Sequence, residues 1–265
     1  MANQLFFIFQ GNQLLVTDSE SNPSLPNSSF IEPIKTAILR QHVVGFFDHV
    51  TCHAVEVNDT FLPPAGYRFA GLRSLFGLFD EPLISLIGKG LQVIEWDRSH
   101  QYCPKCGTEN NYHEYETAKV CPSCSYRSYP RISPVVMGLI VRDHEILLAR
   151  SPHFAPGMYS AIAGFCEVGE SLEMALHREI KEEVNVTVDQ VQYFTSQSWP
   201  FPHSLMVAFT CRYVSGIIVP QPQEIEDAKW FSIDALPLLP HPVSIARKLI
   251  NHTVNSIKAR YHALH

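Results

Sequence analysis

Residues 164–186 read GFCEVGESLEMALHREIKEEVNV, and the placing of glycines, carboxylates and apolar residues here decides the fold around them. A glycine loop runs into a helix on which positions three and four apart share a face, so Glu179 stands beside both Glu182 and Glu183. Leu172, Leu176 and Ile180, with Ala175 between, form an apolar stripe that lays the opposite side of the helix against a sheet. Ser171 is placed to cap the N-terminus, and Asn185 to release the chain in the left-handed region. The spacing predicts a helix with separate packing and acidic faces.

Three converging carboxylates repel one another and rise in pKa unless cations neutralise them. Hard oxygen donors at this density suit Mg²⁺ or Mn²⁺ rather than zinc. A solvated acidic face is the alternative reading of the glutamates taken alone. The whole spacing is Gly164, five residues, Glu170, seven residues, then Arg178 through Glu183. It resembles the Nudix box, the signature of hydrolases acting on nucleoside diphosphates linked to another group. The family usually has glycine where this chain has Asn185, and asparagine is the next best residue at a positive φ. The resemblance implies a catalytic group of Glu179, Glu182, Glu183 and Arg178. It implies Mg²⁺ or Mn²⁺ held by Glu179, Glu183, Glu224 and the Ala163 carbonyl, with Glu226 and Asp227 as alternatives to Glu224.

Cys103-Pro-Lys-Cys106 and Cys121-Pro-Ser-Cys124 pair two CxxC knuckles across residues 107–120, close to the spacing of a tetrahedral four-thiolate zinc site. A redox dithiol is the competing reading. Four thiolates leave no open position for water or substrate, so zinc here is expected to be structural, one ion per subunit, folding a ribbon too small to bury enough apolar surface. Cys52, Cys166 and Cys211 are scattered without pairing logic, as in a reducing compartment.

Ser196-Gln-Ser-Trp-Pro-Phe-Pro-His-Ser204 follows the acidic helix, with two prolines fixing the backbone between aromatics. Rigid aromatic loops suit base or ribose binding, whereas the bland reading makes Trp199 and Phe201 core residues bracketed by turns. A zinc ribbon, a Nudix box and an SQxWPFPxS loop in this order resemble the NADH pyrophosphatase branch of the Nudix superfamily, which splits NAD(H) into NMN(H) and AMP. Ser198 stands where that branch usually has proline, and His203 where it usually has glutamine. The resemblance implies substrate contacts from Arg73, Glu116, Tyr129, Phe165, Gln197, Ser198, Trp199, Pro200, Phe201, Pro202, His203, Ser204 and Ala246. Phe165 and Tyr129 match its base-stacking pair, with Tyr129 supplied by a neighbouring subunit, which makes the working form a homodimer with a shared active site.

The whole chain fits this reading. Its 265 residues, 46% of them hydrophobic, suffice for a sizeable core. The net charge of −6 argues against bulk electrostatic attraction to nucleic acid. No apolar stretch approaches a membrane span, and LFFIF near the N-terminus is too short and lacks the basic leader of a signal peptide, so a cytoplasmic protein is expected. The expected class is α+β. A small N-terminal α+β domain covers 1–97, the zinc ribbon 98–129, and a C-terminal α/β/α sandwich with a mixed sheet 130–265. Residues 134–141 and 146–149 read as a hairpin, 159–163 as a strand ending at Gly164, and 205–214 and 228–231 as further strands. Residues 244–259 read as a closing amphipathic helix.

The expected activity is metal-dependent hydrolysis of the NAD(H) pyrophosphate. One alternative is removal of the NAD cap from RNA by the same chemistry, with Arg98, Lys105, Lys119, Arg127 and Arg131 guiding the strand. The other is a non-catalytic ribbon and Nudix module that senses a nucleotide.

Overall fold

The computed structural model describes residues 4–262. They fall into two compact units, one running to Ile132 and including Pro200–His203, the other formed by Ser133–Trp199 and the residues from Ser204 onward. Among the described residues, no helix is long and apolar enough to cross a membrane.

In the first unit the apolar runs become strands β1 (Gln4–Gln10), β2 (Gln13–Thr17), β3 (Ile38–Phe47), β4 (Val50–Val57) and β5 (Tyr67–Gly71), with the short helix α1 (Ile31–Ile34) ahead of β3. The sheet order is β3-β4-β1-β2-β5, with only β1 and β4 parallel. Alternate residues serve opposite faces. Phe7, Phe9 and Leu14 pack on Ile84, Ile87, Leu91 and Ile94 of helix α2 (Glu81–Ser99), while Phe6, Ile8, Leu15 and Val55 build a core on the other face.

The ribbon strands β6 (Asn111–Tyr112), β7 (Lys119–Val120) and β8 (Arg127–Ser128) form an antiparallel sheet of their own. Asp97, in the last turn of α2, is fully buried. Its carboxylate takes Lys119 Nζ at 2.5 Å, the Tyr112 hydroxyl at 2.5 Å, His42 Nε2 at 2.7 Å and Gln101 Nε2 at 2.8 Å. Burial alone would raise the Asp97 pKa, but the hydrogen bonds from His42, Lys119 and Tyr112 outweigh it and hold the group well below the usual carboxylate range.

The second unit holds β9 (Ser133–Arg142), β10 (Glu145–Arg150), β11 (Ile162–Phe165), helix α3 (Leu172–Val184), β12 (Thr187–Trp199), β13 (Ser204–Ser215), β14 (Asp227–Ser232) and helix α4 (Ile245–His262). The order β12-β13-β9-β10-β14, with β11 paired to β9 and only β13 and β9 parallel, gives the mixed sheet. Val136 and Ile140 of β9 with Leu147 of β10 face Leu176, Ile180 and Val184 of α3. Their neighbours Met137, Leu139, Ile146 and Leu148 face Leu249, Ile250 and Val254 of α4. Both faces are covered, so these strands are continuously apolar rather than alternating, and the architecture is an α/β/α sandwich.

Two expectations change. The strand expected at 159–163 lies at Ile162–Phe165, paired with Val135–Gly138 of β9, and Ser160 instead exchanges backbone hydrogen bonds with Ala149 of β10. The segment crosses from one splayed strand to the next, which periodicity does not reveal. The expected loop at 196–204 is mostly strand, because β12 and β13 stay paired up to Trp199 and Ser204, leaving only Pro200–His203 as the turn.

Asp97→Asn leaves Lys119 buried without its counter-charge and is expected to cost about 3–5 kcal/mol. Urea denaturation checks this, and Lys119→Met added to Asp97→Asn should recover part of the loss.

Candidate active site

Helix α3 ends as its sequence dictates. Ser171 Oγ accepts from the Met174 N–H at 3.2 Å, and Asn185 takes φ 56° and ψ 28° beyond the last turn. Opposite the packing stripe, Glu179 and Glu183 are buried while Glu182 stays exposed. Glu179 lies against β11. A Cβ on Gly164 would fall 1.9 Å from the Glu179 carboxyl carbon and 2.1 and 2.2 Å from its oxygens, so only glycine leaves room for that carboxylate. Ala163, the residue before it in β11, pairs with Met137 of β9.

Arg178 uses every N–H of its guanidinium. Nε and Nη2 bind the two oxygens of Glu170 at 2.6 and 2.8 Å, and Nη2 also binds the Phe165 carbonyl at 2.9 Å. Nη1 binds Glu179 at 2.8 Å and Glu182 at 3.0 Å. The geometry makes Arg178 the residue that orders the carboxylates. Glu170, which the spacing of the box left without a role, is its bidentate partner. Arg178, helped by the Glu167 N–H, holds the Glu170 carboxyl down at about 2. The fixed offset between Glu170 and Arg178 in the box was the available signal.

Glu183 is in the opposite state. Burial, reinforced by the charges of Glu179, Glu224 and Glu182, pushes its carboxyl up to about 8. Burial also raises Glu179, against the pull of Arg178. Glu224 is exposed, in a loop tied to the end of α3: the Val219 and Gln221 N–H groups donate to the carbonyls of Val184 and Glu183 at 3.2 and 2.9 Å. The alternatives to it are engaged elsewhere, Glu226 by Arg150 at 3.0 Å and Asp227 by Tyr159 and Lys229. Cooperating buried carboxylates with raised pKa values, a backbone cradle and hard oxygen donors fit a divalent ion such as Mg²⁺ or Mn²⁺.

The remaining expected contacts divide between the units. In the second, Phe165 is 57% exposed. Gln197 spends its amide on the fold: Nε2 donates to the Val243 carbonyl at 2.9 Å and Oε1 accepts from the Ile245 N–H at 2.8 Å, fixing the start of α4. The Ala246 methyl is buried in the core at the start of α4. Ser198 and Trp199 end β12, and Ser204 is buried at the start of β13.

In the first unit, the Arg73 guanidinium lies 4.4 Å from the centre of the Phe201 ring, which also meets Phe76 edge-on at 6.0 Å. Pro200 seats on Gly88 of α2, where an added Cβ would come within 2.9 Å of its Cγ, while Pro202 is exposed and His203 half-buried beside it. Tyr129 is 52% exposed, and its hydroxyl donates to Glu116 at 2.8 Å. The structure thus pairs Arg73 with Phe201 and Tyr129 with Glu116.

The four cysteines of the ribbon bring their sulfurs within 4.8 Å of one another, with separations of 3.4 Å for Cys106–Cys121 and 3.6 Å for Cys103–Cys124 and Cys106–Cys124. A tetrahedron with Zn–S of about 2.3 Å has an edge of roughly 3.8 Å, whereas a disulfide needs about 2.05 Å. The thiols stand at a spacing that fits zinc and that no formed disulfide has. Gly107 and Ser125, both at positive φ, close the two knuckles. No carboxylate trio among the described residues closes to the same span.

Residues 131–252 match the NUDIX domain, 98–129 the NADH pyrophosphatase zinc ribbon domain, and 3–96 the NADH pyrophosphatase-like rudimentary NUDIX domain. The chain belongs to the Nudix hydrolases of the NADH pyrophosphatase type, enzymes with a structural zinc ribbon and a catalytic Mg²⁺ or Mn²⁺. It is 44% identical to the NAD-capped RNA hydrolase NudC of Stutzerimonas stutzeri, over 90% of this chain and 85% of that one. It is 42% identical to the protein of the same name from Deinococcus radiodurans, over 96% and 89%, and 46% identical to that of Pseudomonas aeruginosa, over 81% and 77%.

A carboxyl raised in the folded state binds a proton there that the unfolded chain releases. Ion-free protein is therefore expected to lose stability as pH rises from about 4.5 towards 8, the interval over which Glu183 is forced to ionise. The gain in melting temperature on adding Mg²⁺ should accordingly be larger at pH 8 than at pH 6, as thermal melts with the zinc retained will read.

Proposed function

We propose that the protein hydrolyses the pyrophosphate bond of NAD(H), giving NMN(H) and AMP. The observation that carries this is the Glu179 carboxylate cradled on Gly164 beside buried Glu183, in a chain with the domain set of an NADH pyrophosphatase. The doubly charged pyrophosphate repels a nucleophile, and Mg²⁺ or Mn²⁺, when bound, supplies the neutralisation and polarises phosphorus. Glu179, Glu183, Glu224 and the Ala163 carbonyl are the residues that would hold the ions, with Glu182 in support. Arg178 keeps Glu179 and Glu182 in place. Water attacks phosphorus in line, its proton passes to a carboxylate of the site, and the bridging P–O bond breaks with the electron pair leaving on the second phosphate. Exposed Phe165 and Tyr129 offer faces on which a base can stack, and the Ala246 main chain offers a donor at a helix N-terminus.

The names of the relatives favour a second substrate of the same chemistry, the NAD cap at the 5′ end of RNA, which presents the same pyrophosphate and adenosine. The reading also includes a cytoplasmic location, consistent with cysteines that form no disulfide among the described residues, and a homodimer in which Tyr129 serves the neighbouring subunit's site.

The test is Mg²⁺- or Mn²⁺-dependent release of AMP and reduced NMN from NADH, run beside NAD⁺, ADP-ribose and an NAD-capped RNA. Glu183→Gln is expected to lower kcat by about 10²- to 10³-fold on each substrate turned over, the scale of losing one preorganised charged group. RNA turnover should fall more steeply with salt than NADH turnover, because only RNA adds phosphate contacts. Undiminished NADH hydrolysis by Glu183→Gln would sink the assignment.

A further inference from the structure

The one departure from the Nudix box, Asn185 in place of glycine, has a use beyond tolerating a positive φ. Its side chain lies between the acidic helix and the loop carrying Glu224. Oδ1 accepts from Lys181 Nζ at 2.7 Å, one turn back in α3, and Nδ2 donates to the Ile217 carbonyl at 3.3 Å. The backbone around it is equally close. A Cβ on Gly216, itself at φ 112°, would fall 2.7 Å from the Asn185 carbonyl oxygen, so the loop passes directly over the helix end. The main-chain bonds from Val219 to Val184 and from Gln221 to Glu183 continue the same seam, and Gln221 then accepts from the Glu224 and Ile225 N–H groups at 3.2 and 2.9 Å. Beyond Glu224, Ile225 is buried in the core and the Glu226 N–H donates to Arg150 at 2.8 Å. Glu224 is therefore suspended between two anchors, and Asn185 is the side chain that fastens the upstream one.

We propose that Asn185 is a positioning residue for metal binding, linking the last turn of α3 to the 217–224 loop so that Glu224 is presented to the ions that Glu179 and Glu183 hold. Glycine adopts the same backbone conformation and ends the helix equally well, but it makes neither side-chain bond. The role is separable from folding of the helix, and it rests on Glu224 being a metal ligand.

The experiment is Mn²⁺ titration of the full-length, zinc-loaded protein, followed by electron paramagnetic resonance without substrate, together with amide hydrogen exchange over 217–224. Asn185→Gly and Asn185→Asp are compared with wild type; the second keeps the acceptor for Lys181 but has no side-chain N–H for Ile217. Asn185→Asp, which loses one hydrogen bond, is expected to bind Mn²⁺ roughly 3- to 10-fold more weakly, Asn185→Gly, which loses both, at least as weakly, and both to exchange faster at Val219 and Gln221. Activity at saturating Mn²⁺ should be largely restored. Glu224→Gln runs alongside. Unchanged affinity in the Asn185 variants while Glu224→Gln weakens binding overturns the role of Asn185. Unchanged affinity in all three overturns it together with the ligand assignment of Glu224. Neither result bears on the pyrophosphatase reading, which is judged by turnover.

Discussion

The acidic centre depends on the saturation of one guanidinium. Arg178 donates five hydrogen bonds to Glu170, Glu179, Glu182 and the Phe165 carbonyl, and so joins the glycine loop, the strand β11 and two levels of the helix. Lysine could not substitute, because three donors on a flexible point charge cannot reproduce a planar fork that grips Glu170 with two parallel bonds. The consequence is a graded set of charges. Glu170 and Glu182 have the cation beside them, Glu179 shares it while being buried, and Glu183 has none of it. The most buried carboxylate of the site is thus the one left without a cation beside it.

The two metal sites of the chain obey opposite rules. The thiols of the ribbon already stand at nearly the spacing of their tetrahedron, with Cys103 and Cys121 buried, and four soft ligands close the shell. Zinc there is part of folding. The carboxylates of the acidic centre do not close to that span among the described residues and are hard oxygen donors.

Much of this was legible in the sequence because the signals are local. The cap at Ser171, the left-handed end at Asn185, the apolar stripe of α3 and the paired CxxC knuckles are set by spacings shorter than two helical turns or one hairpin. What escaped depends on partners far along the chain. The shift of β11 to 162–165 follows from the splay of β9 and β10. Gln197 reads as a polar loop residue until Val243 and Ile245 are brought to it. Phe201 reads as a stacking aromatic, yet its ring packs on Phe76 and under Arg73, so the bland reading of that aromatic has a physical basis. Trp199, which ends β12 instead of lying in a loop, changes place for the same non-local reason.

The N-terminal domain acquires a role through Asp97. The ribbon has little core of its own; Ala118, Cys103 and Cys121 are its buried apolar residues. Zinc holds one end. At the other, Lys119 of β7 and Tyr112 of β6 reach the Asp97 carboxylate at the end of α2, while Arg40 and Arg98 on β3 and α2 are gathered by buried Glu56 of β4. Removing charges from water is costly unless each finds its partners, so the arrangement specifies one docked position for the ribbon rather than merely adding stability. Lys119 pairs across the ribbon sheet with Ser128, the residue before Tyr129, and the Tyr129 hydroxyl in turn meets Glu116. The register that fixes Lys119 on Asp97 therefore also fixes where the ribbon offers Tyr129.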